Sequence, residues 1–183
     1  KVLFFDTLAT FISVSEAKSK YLRGHAERVS KIAKEIGQSM GLTQTSLEIL
    51  EYSAILHDLG KIGVPDAILD KKGKLTDEEW LVIKGHPLVG SNIISKMRLF
   101  RLEEPAIRYH HERFDGKGYP EGIDGENIPM EARIIALADS HDAMTSKRPY
   151  RNAMSREDAL KEINKNKGTQ FDPSVVKHFL TVV

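Results

Sequence analysis

Seven histidines are the residues of this sequence whose type and spacing are best suited to chemistry. They are His25, His57, His86, His110, His111, His141 and His178. His25 lies one helical turn before Val29 on an apolar face, and His57 and Asp58 extend another apolar stripe. Asp139 falls on a third such face, and a buried carboxylate is costly unless it is paired or binds metal. The spacing alone fits either a metal site or a set of hydrogen-bonded core residues.

The composition narrows the kind of metal site. The chain contains no cysteine, which excludes disulfides, thiol nucleophiles, zinc–thiolate sites and iron–sulfur clusters. Any metal must therefore be held by nitrogen and oxygen, which suit iron, manganese, zinc or nickel. The 27 basic and 26 acidic residues leave a formal charge of +1, so we expect no DNA or RNA partner. The sequence also lacks a membrane-length apolar stretch or a signal-type start, so we expect no membrane contact from this segment.

Helical periodicity indicates the elements that must position these residues. Apolar residues recur at helical spacing between residues 29 and 40, and alternating strand patterns are scarce. Capping boxes are predicted at Thr45–Glu48 and Thr76–Glu79, and Asp172–Pro173 reads as the start of the last helix. The pattern breaks down at about residues 112–130 into a glycine-rich loop, and loops of this length are usually functional. We predict one all-α domain over residues 1–183 with this long loop.

Two motifs resemble the signatures of the HD-GYP family, which belongs to the HD superfamily of phosphohydrolases. Residues 57–63 read His-Asp-Leu-Gly-Lys-Ile-Gly, and residues 110–120 contain His-His-Glu followed by Gly-Tyr-Pro. Further matching segments are Ala-Asp at 138–139, Asp-Ala-Met-Thr-Ser at 142–146, Arg-Pro-Tyr-Arg at 148–151 and Gly-Thr-Gln-Phe-Asp-Pro at 168–173. The resemblance runs from about residue 20 to the C-terminus and implies an HD-type helical bundle.

The resemblance also implies a binuclear metal site. Carried over by motif, the ligands are His25, His57, Asp58 and Asp139 for one metal and His86, His110 and His111 for the other, with Asp58 bridging both. We expect two divalent cations, iron first and manganese next. Some family members support a third metal with a glutamate where this chain has Tyr21, and a phenol is a poor substitute at neutral pH.

The activity implied by the family is hydrolysis of cyclic dinucleotides, typically cyclic di-GMP. A metal-bridging hydroxide would attack phosphorus in line and release linear pGpG, with further hydrolysis to GMP as an open alternative. Asp58 and Lys61 are the catalytic candidates, and Lys61 would neutralise a phosphate oxygen unless it is merely a solvated lysine. Arg148 and Arg151 are candidates for the second phosphate or a guanine edge, with salt bridges at a helix end as the alternative.

The sequence therefore predicts a cyclic di-GMP phosphodiesterase of bacterial signalling, located in the cytoplasm or in a cytoplasmic part of a larger protein. Because the chain starts at Lys1 inside a helix-like pattern, we expect residues 1–20 to form a helix continuing from an upstream regulatory region. The glycine-rich loop is a candidate surface for a protein partner. Two alternatives stay open, namely a hydrolase of another cyclic dinucleotide and a catalytically silent receptor or interaction module.

Three smaller expectations concern residues around the predicted site. Glu112 and Asp115 are expected to orient the ligand histidines, as ligating imidazoles usually require. Gly116 and Gly118 are expected to allow positive φ in the loop. His141 and His178 match no ligand position and are assigned to structure or surface.

Overall fold

The computed structural model describes residue 10, residues 24–146 and residues 153–183, and the regular structure within them is helical. The α-helices with defined bounds are α1 His25–Ser39, α2 Gln44–Leu56, α3 Asp66–Leu69, α4 Asp77–Lys84, α5 His86–Ile94, α6 Glu104–Tyr109, α7 Met130–Thr145, α8 Arg156–Lys165 and α9 Pro173–Val182. Short 3₁₀ helices cover Leu59–Gly63, Arg98–Phe100 and Gly125–Asn127. Within these residues the pairing of extended backbone is limited to one isolated bridge, Lys167 with Phe171. The prediction of an all-α fold is confirmed.

The lengths of these helices also bear on membrane contact. Among the residues described, none of the helices combines the length and apolar character that a bilayer-spanning segment needs. The loop predicted at residues 112–130 is present, and its regular structure is the single 3₁₀ turn Gly125–Asn127.

Two of the predicted helix starts are confirmed by their capping hydrogen bonds. The Thr76 side chain accepts from the Glu79 N–H at 3.2 Å, and the Glu79 carboxylate accepts from the Thr76 N–H at 2.8 Å. The Asp172 carboxylate accepts from the Ser174 N–H at 2.7 Å, ahead of the last helix. Both caps satisfy N–H groups that a helix start leaves without intrahelical partners.

The predicted capping box at Thr45–Glu48 is wrong. Helix α2 begins at Gln44, and its cap is Thr43, whose side-chain oxygen accepts from the Ser46 N–H at 3.2 Å. Thr45 lies already within the first turn. Two threonines two positions apart offer the same capping chemistry, and only the path of the incoming chain selects between them.

The core holds α1, α2 and α7 together with the C-terminal helices. Its fully buried members include Val29 and Ile36 of α1, Leu50 of α2, and Ile135 of α7. A smaller apolar cluster packs the end of α2 against α5 and α6. Its members are Leu56, Leu59, Ile94, Phe100 and Ile107. Burying one apolar side chain of this size contributes about 1.5–3 kcal/mol to the stability of the folded state. The ends of α1, α2, α5 and α6 are thereby held close to the middle of α7.

Gly60 allows the 3₁₀ segment Leu59–Gly63 to lie directly against α5. A Cβ atom at this position would lie 1.9 Å from the carbonyl oxygen of His86 and 2.6 Å from the amide nitrogen of Gly90. Both neighbours are backbone atoms of a helix and cannot rotate away. A residue without a side chain is therefore required where residue 58 approaches residue 86.

We predict that Gly60→Ala destabilises the protein by about 1–3 kcal/mol, since overpacking forces backbone shifts. The free energy of unfolding, measured by urea titration, checks this. Gly63→Ala is the matched control in the same segment, because its Cβ would meet the Val89 side chain at an ordinary 3.5 Å. Equal stability of the two variants would contradict the assigned role of Gly60.

Candidate metal centre

The structure brings together all seven side chains that the sequence predicts as ligands. His25 is the first residue of α1, His57 and Asp58 follow the end of α2, His86 opens α5, His110 and His111 follow α6, and Asp139 lies in α7. Five of them are buried to 5% exposure or less, whereas His111 and Asp139 are partly exposed. The ends of helices from distant parts of the chain, together with the interior of α7, thus position nitrogen and oxygen atoms in one place.

These side chains form two groups that meet at Asp58. In the first group, the ligand atoms of His25, His57 and Asp58 lie within 4.8 Å of one another, and Asp139 Oδ1 is 3.3 Å from His25 Nε2. Oδ2 of Asp58 faces this group, at 3.6 Å from His25 Nε2 and 3.5 Å from His57 Nε2.

The second group consists of His86, His110 and His111, whose ligand atoms also lie within 4.8 Å of one another. The other carboxylate oxygen of Asp58, Oδ1, is 3.3 Å from His86 Nε2. Each oxygen of Asp58 therefore faces a different group, which is the arrangement that a bridging carboxylate needs.

Backbone carbonyls at helix ends fix the orientation of three of the rings. In each case Nδ1 lies 2.7 Å from the carbonyl oxygen three residues earlier, in the pairs His57 with Ala54, His86 with Ile83, and His110 with Ile107. Carbonyls in the last turn of a helix lack intrahelical partners. Because a carbonyl only accepts, Nδ1 carries a proton, which leaves Nε2 as the nitrogen that can bind a cation in the site.

This arrangement brings ring nitrogens and carboxylate oxygens close together. Nε2 of His86 and Nε2 of His110 are 3.2 Å apart, while the Nδ1 atom of each ring is already bonded to a backbone carbonyl. His25 Nε2, His57 Nε2 and Asp58 Oδ1 are buried without a hydrogen-bond partner among the described residues. Buried polar atoms are normally satisfied. Converging nitrogen and oxygen atoms of this kind are a donor set that divalent cations take, so the residues present fit a metal centre.

Burial and local charge hold most of these groups in the protonation states that bind metal. Burial lowers the pKa of His57, lowers that of His110 well below its usual range, and lowers that of His111 to about 3. Burial alone would raise the pKa of Asp58, but Lys61 and His57 outweigh it and hold that pKa well below its usual range. Neutral imidazole and ionised carboxylate are the forms that coordinate cations.

Asp142 is a functional residue that the sequence analysis missed. Its Oδ2 accepts from His25 Nδ1 at 2.7 Å, and its Oδ1 accepts from Arg28 Nε at 2.6 Å. Burial would raise the pKa of Asp142, but the hydrogen bonds from His25 and Arg28 lower it to about 2. The sequence does carry a signal, because Asp142 follows Asp139 by three residues and so shares its helix face.

The expectation that Glu112 and Asp115 orient the histidines is wrong. Glu112 Oε1 accepts from the N–H groups of Glu121 at 2.7 Å and Gly122 at 2.9 Å. Asp115 pairs with Arg113, at 2.9 Å between Oδ2 and Nη2. Both carboxylates hold the glycine-rich loop in shape, and the orienting partners are the carbonyls and Asp142.

The two loop glycines also differ from one another. Gly116 has φ 73°, as predicted, but Gly118 does not have a positive φ, so that part of the prediction is wrong. Gly118 is needed for a close approach instead, since a Cβ there would lie 2.4 Å from Arg113 N. This contact folds the loop back so that Tyr119 reaches His111.

The remaining predicted residues are placed as follows. Lys61 Nζ lies 2.5 Å from Asp58 Oδ2 with its side chain 17% exposed, so it belongs to the site and not to the solvated surface. Arg148 and Arg151, as well as Tyr21, lie outside the described residues. His141 packs its ring against Phe179, away from the ligand groups. His178 Nδ1 shares a hydrogen bond with Ser39 Oγ at the surface.

Comparisons with known proteins show the family to which the chain is related. A family model described as "HD domain" matches residues 10–175. The chain is 39% identical over 96% of its length to a cyclic di-GMP phosphodiesterase of Thermotoga maritima. It is 40% identical over 96% to the cyclic di-GMP phosphodiesterase response regulator RpfG of Xanthomonas campestris. It is 39% identical over 91% to 3′3′-cGAMP-specific phosphodiesterase 3 of Vibrio cholerae.

A solved structure shows the same fold at lower sequence identity. The crystal structure of a cyclic GMP-AMP specific phosphodiesterase of V. cholerae covers 95% of this chain with a TM-score of 0.70 at 22% identity. The match takes up 46% of that protein. The chain likewise spans 48%, 47% and 36% of the three curated relatives, about half of their length or less.

We predict that Asp142→Asn weakens metal binding about 10- to 100-fold. The neutral amide replaces the negatively charged carboxylate that accepts the hydrogen bond from His25. Metal content per chain after dialysis against a graded chelator, measured by mass spectrometry, checks this. Asp115→Asn is the control, since that carboxylate serves the loop. Metal retention by Asp142→Asn equal to that of the unmodified protein would contradict the orienting role.

Proposed function

The chain belongs to the HD domain family and to its HD-GYP group, and we propose that it is a metal-dependent phosphodiesterase that hydrolyses cyclic di-GMP to linear pGpG. The observation that carries this proposal is the convergence of seven nitrogen and oxygen ligands in two groups around Asp58. Two relatives that match most of the chain are named cyclic di-GMP phosphodiesterases, which supports the choice of substrate.

The residues suggest how two divalent cations, iron before manganese, would be held. His25, His57, Asp58 and Asp139 would bind one cation, and His86, His110, His111 and the second oxygen of Asp58 the other. Divalent cations bound there supply Lewis acidity, which activates water and stabilises negative charge on a phosphate. Seven predicted ligands, with Tyr21 in the sequence where some family members carry a glutamate, favour two cations over three, and a product that stays largely at pGpG.

The protein's own part in the reaction is mainly electrostatic. Lys61 places an ammonium group beside Asp58 in a largely enclosed site, where charge interactions are stronger than in water. When a phosphate enters, this ammonium lies within reach of its non-bridging oxygens and can offset the charge that develops there. Burial lowers the pKa of His57 and of His110, and a backbone carbonyl fixes each of these two rings, so both present Nε2 to a cation.

A second candidate substrate is 3′3′-cGAMP. The V. cholerae relative that bears this specificity in its name is 39% identical over 91% of the chain, nearly as similar as the cyclic di-GMP phosphodiesterases. The two dinucleotides share the phosphodiester ring and differ in one base. The ligand groups around Asp58 act on the shared part, so the bases must be distinguished by residues farther from the metals.

The deciding experiment is an anaerobic incubation of iron-loaded and manganese-loaded protein with each dinucleotide, with products resolved by chromatography. We expect pGpG from cyclic di-GMP. Asp58→Ala is the control, and we expect it to lose both metal and turnover, because it removes the carboxylate that both groups share. Absence of product from every metal-loaded sample, together with tight binding of the intact dinucleotide, would identify a receptor instead.

We predict that Lys61→Ala retains both metals but lowers kcat by about 10- to 1000-fold, the usual cost of removing one charge-stabilising group. Metal analysis and steady-state kinetics on the same preparation check this. Lys177→Gln on α9 is the control, since it removes an exposed lysine from a helix that carries none of the ligands. An unchanged kcat for Lys61→Ala would contradict the charge-stabilising role of Lys61.

A further inference from the structure

The exposed indole of Trp80 is a feature that the proposed chemistry does not use. Helix α4 carries Trp80 and has no buried residue. The indole is 45% exposed, although tryptophan is largely buried in most folded proteins. It is also the single tryptophan of the chain. An aromatic ring kept at the surface in this way is available to a ligand.

A continuous row of side chains joins Trp80 to the metal centre. The Tyr119 ring stacks on His111 with 4.9 Å between ring centroids and 27° between planes. Lys84 Nζ lies 5.4 Å from the centroid of Tyr119 and 5.9 Å from that of Trp80. Trp80 and Lys84 are four residues apart on α4 and so share a face. The row runs from a predicted metal ligand to an open aromatic surface.

The charge of Lys84 suits an anion beside that surface. None of the carboxylates in the described ranges forms an ion pair with it, whereas most other partly buried cations around the site have such a partner. Its ammonium lies between two aromatic faces that are only weakly attractive to it. At 5.4 Å from the centroid of Tyr119, this ammonium is placed to bind a phosphate that lies against the Tyr119 ring.

We propose that Trp80 and Lys84 form the subsite for the half of the cyclic dinucleotide that is not cleaved. This inference rests on the proposed function, because a cyclic dinucleotide has two phosphates and two purines and presents one phosphate to the metals. Trp80 stacks on a purine base, and Lys84 binds the second phosphate. Tyr119 forms the wall between this subsite and His111.

The single tryptophan makes the stacking directly measurable. Metal-loaded protein is titrated with a hydrolysis-resistant phosphorothioate analogue of cyclic di-GMP, while calorimetry independently establishes saturation. Stacking of guanine on Trp80 quenches the indole fluorescence in proportion to occupancy. Fluorescence that stays unchanged at calorimetric saturation would overturn the proposal, whatever the protein hydrolyses.

Kinetics of variants provide the second test. Stacking on an aromatic ring is strong enough that Trp80→Ala should raise KM for cyclic di-GMP on the order of tenfold, with kcat changed much less. Trp80→Phe should recover most of the affinity, which a merely structural role in α4 would not require. Leu81→Ala is the matched control, because Leu81 is the next residue of α4 and is 68% exposed.

Lys84→Gln should also raise KM, and the salt dependence of KM should become shallower because one phosphate contact is lost. Lys177→Gln serves as its control. Failure of the proposed function is recognised separately, as absence of product from the unmodified metal-loaded protein. Normal turnover with a KM that neither Trp80→Ala nor Lys84→Gln changes would leave the proposed function intact and overturn the subsite. A change in the oligomeric state of these variants would overturn it too, in favour of a protein-binding surface.

Discussion

The burial of nitrogen and oxygen atoms around Asp58 is the constraint on which the rest of the structure depends. Both oxygens of Asp58 face imidazole nitrogens, and Nε2 of His25 and of His57 is buried without a hydrogen-bond partner among the described residues. Such an arrangement is unfavourable in a protein interior unless positive charge is inserted. Only part of that charge comes from Lys61. The folded chain therefore contains a site whose own electrostatics favour divalent cations, and catalysis can use the same positive charge.

Helix ends supply the precision that this site needs. Three of the five predicted ligand histidines follow the last turn of a helix and use its free carbonyls to fix their rings, and His25 is held by Asp142, which also binds Arg28. A helix end normally satisfies its last carbonyls with water or a glycine turn. Here the same unsatisfied carbonyls place a proton on Nδ1 of His57, His86 and His110. One hydrogen bond per ring therefore links the end of a helix to the orientation of a predicted metal ligand.

The glycine-rich loop and helix α4 extend the centre outward. Glu112 ties the loop to itself through backbone N–H groups, and Gly118 lets it fold back so that Tyr119 covers His111. Beyond Tyr119 the surface continues to Lys84 and Trp80. The ligand groups alone would recognise any phosphodiester. Discrimination among cyclic dinucleotides needs contacts at this distance from the metals, where the bases lie.

The sequence by itself determined the all-α class and the long loop, because helical periodicity and its loss are local properties of the chain, while the seven predicted ligands came from the resemblance of its motifs to a known family. It also identified Asp172 and Thr76 as caps, since a cap acts within one helical turn. It failed to choose Thr43 over Thr45, and it assigned Glu112 and Asp115 to the histidines. Those choices depend on which groups meet across the fold.

Only the tertiary structure decided that each oxygen of Asp58 faces a different group, that Asp142 holds His25, and that Trp80 stays exposed beside the site. His25 and Asp142 are 117 residues apart, and nothing in either local sequence specifies their contact. Hydrogen bonds act over about 3 Å, so their partners are set by the packing of α1 against α7 and not by position along the chain.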